Sequence, residues 1–188
     1  MSDSNLIHDV LARHYGYPSF RPSQQAVIEH VLAGKHAMVV MPTGMGKSLC
    51  YQIPALTIPA DSHLIVLVLS PLVALMHDQV SDLRSRGIDA AYINSSLDRQ
   101  TRETRYDEVA SGKYRLLYVT PERFRKEDFR RIIAKRDVTL LAIDEAHCVS
   151  QWGHDFRPDY SRVGEIREQL GLSHHDCFDG DCDGGMPP

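Results

Sequence analysis

Met41-Pro42-Thr43-Gly44-Met45-Gly46-Lys47-Ser48 is the stretch that decides the fold. It follows an apolar, strand-like run at 37–41 (AMVVM) and opens a helix beginning near Lys47. That is the context a phosphate-binding loop requires. Gly44 and Gly46 let the backbone turn tightly, so that successive N–H groups face one anion. The amino-terminal end of the helix adds its positive dipole at the same place. Lys47 is placed to reach the β- and γ-phosphates of a nucleotide, and the Ser48 hydroxyl to sit on Mg²⁺. The usual pattern opens with glycine where this chain has Met41, but the Thr-Gly-x-Gly-Lys-Ser core is whole.

Working outward, further apolar runs of strand length stand at 63–69 (HLIVLVL), 90–93, 115–119 (RLLYV) and 138–143 (VTLLAI). They are apolar on both faces, as expected of parallel strands covered by helices on two sides. Helical patterns lie between them. The segment 22–33 has Pro22 at an early helical position and stops before Gly34; 72–86 stops before Gly87; 98–110 ends near Gly112; and 160–170 ends at Gly171. The alternation predicts a doubly wound α/β domain over residues 1–172, with its ligand at the carboxyl ends of the strands.

A phosphate loop needs an acidic partner at the end of another strand. The run 138–143 ends in Asp144-Glu145-Ala146-His147. Asp144 is placed to hold Mg²⁺ through water, and Glu145 to orient or deprotonate an attacking water. His147 is placed to couple the nucleotide site to neighbouring segments.

The bulk composition is that of an ordinary globular protein. The 188 residues are 43% hydrophobic and 24% charged, with a formal net charge of -4, so any nucleic-acid contact must be local. Of the four cysteines, Cys50 and Cys148 sit among apolar neighbours and read as buried thiols; Cys177 and Cys182 form no C-x-x-C pair. The amino terminus has no signal pattern, and the apolar runs fall far short of the ~20 residues of a membrane span. The expectation is a cytoplasmic protein, nucleoid-associated if bacterial, with no membrane partner.

The phosphate loop together with Asp144-Glu145-Ala146-His147 resembles a superfamily-2 helicase, and more closely the RecQ family. The resemblance runs from about Tyr15 to Leu170. Phe20-Arg21-Pro22-Ser23-Gln24 is similar to the adenine-reading motif of that family, which implies that Gln24 bonds the base edge with Tyr17 and Arg21 packed around it. Segments starting Ser70-Pro71 and Thr120-Pro121 resemble the motifs that grip a DNA backbone. Residues 148–160 (CVSQWGHDFRPDY) look like the aromatic-rich loop that couples single-stranded DNA to ATP hydrolysis. There Trp152 and Phe156 supply stacking faces and Arg157 a phosphate or cation–π contact. His77 stands where the family usually has lysine. The resemblance implies a RecA-like motor domain using ATP and Mg²⁺, 3′-to-5′ unwinding, and DNA at a single-stranded/duplex junction as partner. It also implies a second RecA-like domain, which this chain does not carry, so a truncated motor half is not expected to unwind alone. A non-catalytic ATP- or DNA-binding module, or a nonfunctional remnant, is the alternative.

Residues 173–188 (SHHDCFDGDCDGGMPP) break the pattern, and an irregular tail without a strand is expected, leaving the sheet short of its last strand. Codons chosen for 176–184 with C in third positions (T for Phe178) read Thr-Ala-Leu-Thr-Ala-Thr-Ala-Thr-Ala one base over. That is the motif the family would have next, so the tail reads as frame-displaced. The half-loop Asp179-Gly180-Asp181-Cys182-Asp183-Gly184 matches the start of a calcium loop, but its closing glutamate would fall beyond Pro188. His174, His175, Cys177 and Cys182 fit no standard zinc spacing.

Overall fold

The computed structural model describes residues 3–42, 44–59, 62–146, 162–172 and 177–180. In chain order the elements are α1 (Asp3–Tyr15), α2 (Gln24–Leu32), β1 (Ala37–Val39), α3 (Leu49–Thr57), β2 (Leu64–Leu69), α4 (Val73–Ser85), β3 (Ala90–Ile93), α5 (Arg99–Ala110), β4 (Leu116–Val119), a 3-10 turn (Pro121–Arg125), α6 (Glu127–Ile133), β5 (Asp137–Ile143), α7 (Val163–Gln169) and β6 (Cys177–Gly180). The strands pair in parallel in the order β1-β6-β5-β2-β4-β3. This is the α/β, RecA-like doubly wound sheet that the alternation predicts.

The period-2 geometry of β2 shows how the two layers are filled. Val66 and Val68 enter a core with Ile7, Ile28, Ile53, Met76 and Val80 from α1, α2, α3 and α4. Ile65, Leu67 and Leu69 point the other way, into a core with Val109, Phe129, Ile133 and Ile166 from α5, α6 and α7. A strand buried on both faces must be apolar at every position, which is why LIVLVL reads as a continuous run. Cover is not two-sided everywhere: on β1, Val39 is buried whereas Met38 is 60% exposed.

The structure departs from the sequence reading in four places. Helix α1 was not anticipated, although Ile7, Val10 and Leu11 carry its i, i+3, i+4 spacing and all are buried. Helix α6 is likewise outside the sequence reading, being short, and packs Phe129 and Ile133 four apart. Pro22 lies outside α2, because Ser23 takes a left-handed φ of 70° and the helix starts at Gln24. Finally, Cys177–Gly180 forms a strand where an irregular tail is expected: Ala37 pairs with Phe178 on one side and Ala142 with Phe178 on the other. The slot between β1 and β5 presents two rows of backbone donors and acceptors, and pairing there is set by backbone demand rather than by side-chain pattern. The expected helix 160–170 is realised as α7, and residues 147–161 lie outside the described residues.

A single cation fastens the amino-terminal edge of the sheet. Arg136, 5% exposed, precedes β5 and donates to four carbonyls: His63 (2.9 Å), Leu64 (2.8 Å), Val109 (2.8 Å) and Tyr114 (3.1 Å). These carbonyls terminate β2, α5 and the approach to β4, so one planar guanidinium with its fixed fork of donors links three connections.

Arg136→Met is therefore expected to lower unfolding free energy by about 3 kcal/mol, because buried carbonyls lose charged donors; urea denaturation reads this directly. Cys50 is fully buried, and burial pushes its thiol up to about 12. It is expected to resist iodoacetamide at pH 8 in the native chain and to react once the chain is unfolded, as followed by mass spectrometry.

Candidate nucleotide site

The carboxyl ends of β1 and β5 place the phosphate loop and the acids on one edge. The loop leaves β1 and closes with two turns, Met45 N donating to Pro42 O at 3.1 Å and Leu49 N to Gly46 O at 3.1 Å. Gly44 (φ 82°) and Gly46 (φ 80°) both occupy the left-handed region that favours glycine. A Cβ added at Gly46 would lie 2.6 Å from Gln24 Nε2, so close approach requires glycine there as well. Lys47 and Ser48 are half-buried, immediately before α3. Thr43 lies outside the described residues.

Gln24 is the least exposed polar group of this wall, at 2%. Its Oε1 accepts from Arg21 N at 2.8 Å, and its Nε2 donates to Met45 O at 3.0 Å and Gly46 O at 3.1 Å. The Arg21 guanidinium donates to Gly44 O. The segment ahead of α2 thus grips the phosphate loop through its carbonyls. The left-handed Ser23, a strained conformation for a residue with a side chain, is what directs Gln24 inward at the start of α2. Tyr17, 50% exposed, stands at the mouth. Tyr15, Tyr17, Arg21, Gln24, Gly44, Gly46 and Ser48 line a cleft of about 490 Å³, closed on the far side by Gln79 and Asp82 of α4 and by Arg86 just after it. Arg86 pairs with Asp82 at 2.9 Å and lies over the Tyr15 ring at 5.2 Å.

Asp144 emerges at the end of β5, where its N–H donates to Leu69 O at 2.8 Å and continues the ladder to β2. Burial, followed by the neighbouring Glu145 carboxylate, raises Asp144 above the ordinary aspartate range. The Lys47 charge and a hydrogen bond from the Gln79 side chain act in the opposite direction. Glu145 has φ 56°, a left-handed conformation uncommon for a non-glycine residue, and its N–H is turned back onto Asp144 Oδ1 at 3.2 Å. His147 lies outside the described residues.

Beneath the cleft runs a polar chain that sequence reasoning missed. Tyr15 donates to Gln52 Oε1 at 2.9 Å, and Gln52 Nε2 donates to the Tyr118 hydroxyl at 3.1 Å. Tyr118 packs edge-on against Tyr51 at 6.2 Å, and Tyr51 donates to Gln79 Oε1 at 2.9 Å. Burial drives the Tyr51 and Tyr118 hydroxyls well above the usual phenol range. The signal available in sequence was Tyr51-Gln52 inside an otherwise apolar helix: buried polar side chains need partners.

Ser70, Pro71, Thr120 and Pro121 stand at the carboxyl ends of β2 and β4, and all four are buried. Among the described residues the Ser70 and Thr120 hydroxyls have no hydrogen-bond partner. What reaches solvent beside them is Leu72 and Val73. Trp152, Phe156 and Arg157 lie outside the described residues.

Gly46→Ala is expected to destabilise the chain by about 1–3 kcal/mol, through its positive φ and the displaced Gln24 amide. Gly44→Ala shares the φ penalty, but its added Cβ meets nothing within 4 Å, so its loss should be smaller. Parallel urea titrations of the two variants make the comparison.

Comparison with known proteins agrees with this geometry. The DEAD/DEAH box helicase family model matches residues 21–174. The ATP-dependent DNA helicases RecQ of Pasteurella multocida and Bacillus subtilis are each 48% identical to this chain, over 85% and 86% of its length. The ATP-dependent helicase wrn-1 of Caenorhabditis elegans is 41% identical over 87%. The chain spans 24%, 27% and 15% of those relatives' own lengths. Among solved structures, the DUF1998 helicase MrfA superposes with a TM-score of 0.68 and its DNA-bound form with 0.71, each at about one-fifth identity and over 96% of this chain, which shows a shared fold. Among the described residues no helix is long and apolar enough to cross a membrane. A phosphate loop facing an Asp-Glu pair across a parallel sheet, the family match over most of the chain and the RecQ relatives agree: the chain belongs to the DEAD/DEAH box helicases and is of RecQ type within them.

Proposed function

We propose that this chain is the first motor half of a RecQ-type, ATP-dependent 3′-to-5′ DNA helicase, binding ATP and Mg²⁺ in the cleft between α2, the phosphate loop and Asp144. The observation that supports it best is the cleft itself. Its base end carries a buried amide (Gln24) and an exposed aromatic ring (Tyr17); its phosphate end carries two left-handed glycines and Ser48. That donor set fits a nucleotide and its cation. Bound ATP–Mg²⁺ would supply the phosphoanhydride bond and the charge that neutralises it.

The residues take the following roles. Backbone N–H groups of Thr43, Gly44 and Gly46 would cradle the phosphates, joined by that of Met45 once it leaves Pro42 O, and Lys47 would reach the β- and γ-phosphates. Ser48 would place its hydroxyl on Mg²⁺, and Asp144 would hold the cation through water. Glu145 orients and deprotonates the attacking water; its left-handed φ aims it away from the line of β5. His147 couples the site to its neighbours. Tyr17, Arg21 and Gln24 recognise adenine. Here Gln24 spends its amide on the loop carbonyls, so reading the base requires it to exchange those bonds for the base edge. On the DNA side, Ser70, Pro71, Thr120 and Pro121 shape the carboxyl edge, where Ser70 N bonds Val119 O and Thr120 N bonds Ile93 O. Trp152, Phe156 and Arg157 stack on and neutralise single-stranded DNA.

Related phosphoryl-transfer enzymes gain about 10³–10⁵ in rate from an arginine that another domain or protein can supply. In this reading that arginine comes from a second motor half, beyond the 188 residues.

Two outcomes are expected of the chain by itself. It binds a fluorescent ATP analogue with Mg²⁺, and Lys47→Ala weakens that binding by about 10- to 100-fold, the loss of a charged contact to phosphate. Its ATPase is near background and is not stimulated by single-stranded DNA. Equal binding by Lys47→Ala would remove the nucleotide reading. Strand separation by the chain alone would remove the half-motor reading.

A further inference from the structure

Among the described residues β3 ends the sheet, with β4 on its one paired side. An end strand presents a row of unpaired backbone donors and acceptors, a template on which another chain can add a strand. The N–H and C=O groups of successive strand residues face alternate sides. Ile93 O accepts from Thr120 N, just after β4. Ile93 and Ala91 therefore face β4, and Ala90 and Tyr92 face outward.

Both outward carbonyls are taken. Arg84, near the end of α4, donates from Nε to Ala90 O at 3.0 Å. Arg105, midway along α5, donates from Nη1 to Tyr92 O at 2.6 Å, and its guanidinium lies 4.2 Å from the centre of the Tyr92 ring. The two arginines come from opposite faces of the sheet: α4 packs Met76 and Val80 into one layer, and α5 packs Val109 into the other. Both also line one open cavity of about 600 Å³ with Asp89, Thr101, Thr104 and Glu108, so solvent reaches this edge and the guanidiniums are what stand on it. A guanidinium carries donors only and a permanent charge. It satisfies a carbonyl, and it offers the N–H groups of an incoming strand nothing to bind. The strand itself carries no such deterrent: Ala90-Ala91-Tyr92-Ile93 has no charge, proline or glycine, the composition that favours strand addition.

We propose that Arg84 and Arg105 are caps that keep a second copy of this chain from adding to the sheet at β3. A second copy is the partner excluded because an edge pair related by a two-fold axis is self-complementary. In such a pair β3 lies antiparallel to its own copy and joins two sheets into one. That arrangement also sets the two guanidiniums of each copy against those of the other, like charges that an interface strongly disfavours. The inference stands apart from the nucleotide reading.

The test compares the full wild-type chain with Arg84→Met/Arg105→Met, which keeps side-chain length. The control is Arg99→Met/Arg131→Met, which removes the same charge at exposed sites outside β3. Sedimentation velocity over a range of concentrations gives the self-association constant. Urea denaturation gives the stability, and hydrogen exchange read by mass spectrometry gives the protection of the 90–93 amides. The expected result is self-association about 10-fold or more tighter for Arg84→Met/Arg105→Met, with protection of the 90–93 amides rising with concentration, and a control that matches wild type. Association no tighter than wild type in the folded variant would overturn the proposal. So would tighter association without added protection at 90–93, or equal tightening in the control. If the double variant does not fold, the two single variants, each with one carbonyl still capped, carry the same comparison with the same outcomes.

Discussion

The structure depends on the parallel pairing of β5 with β2. Six registered residue pairs bring Leu64–Leu69 alongside Asp137–Ile143, and the hydrogen bond from Asp144 N to Leu69 O carries the ladder one residue beyond the strand. Because parallel strands send their carboxyl ends the same way, everything following β1, β2, β4 and β5 collects on one edge. The phosphate loop, Ser70, Thr120 and Asp144 are brought together by that single fact. Arg136 secures the opposite edge by donating to four carbonyls, so the strands are held at both ends.

On this edge the backbone is in sparsely populated conformations where chemistry is expected. Ser23 and Glu145 are the non-glycine residues with positive φ among those described, one just ahead of α2 and the other just after β5. Such conformations cost about 1–3 kcal/mol each and persist where surrounding structure over-determines them. At Ser23 the surroundings are the Arg21–Gln24 turn and the grip of Gln24 on the loop. At Glu145 they are the β2–β5 ladder and the buried Ala146. The first constraint sets the Gln24 amide against the loop carbonyls, and the second turns the Glu145 N–H back onto Asp144 Oδ1.

How much of this the sequence announces varies with the physical cause. Continuous apolar runs such as LIVLVL announce two-faced burial, and the glycine spacing of residues 44–46 announces a backbone that must turn through positive φ. Gln24 is legible only through the resemblance of its neighbours; in the structure its partners are loop carbonyls 21 and 22 residues away. The Tyr15–Gln52–Tyr118 and Tyr51–Gln79 bonds are not legible, because each joins side chains 28 to 66 residues apart and the hydrophobic pattern has no symbol for a satisfied buried hydroxyl. The strand Cys177–Gly180 lacks both alternation and apolar continuity; its place follows from the unpaired backbone of β1 and β5. Helix α1, by contrast, carried a readable 3–4 spacing in Ile7, Val10 and Leu11, obscured by the polar residues between them.

The central claim is that ATP and its cation occupy this cleft and that Gln24 changes partners to read the base. A crystal structure of the chain with Mg²⁺ and a non-hydrolysable ATP analogue tests it most directly. The account predicts the β-phosphate against the backbone N–H groups around Gly44–Gly46, and the Gln24 amide moved from the Met45 and Gly46 carbonyls onto adenine. A nucleotide bound elsewhere, or one bound here with Gln24 still held by those carbonyls, would contradict it.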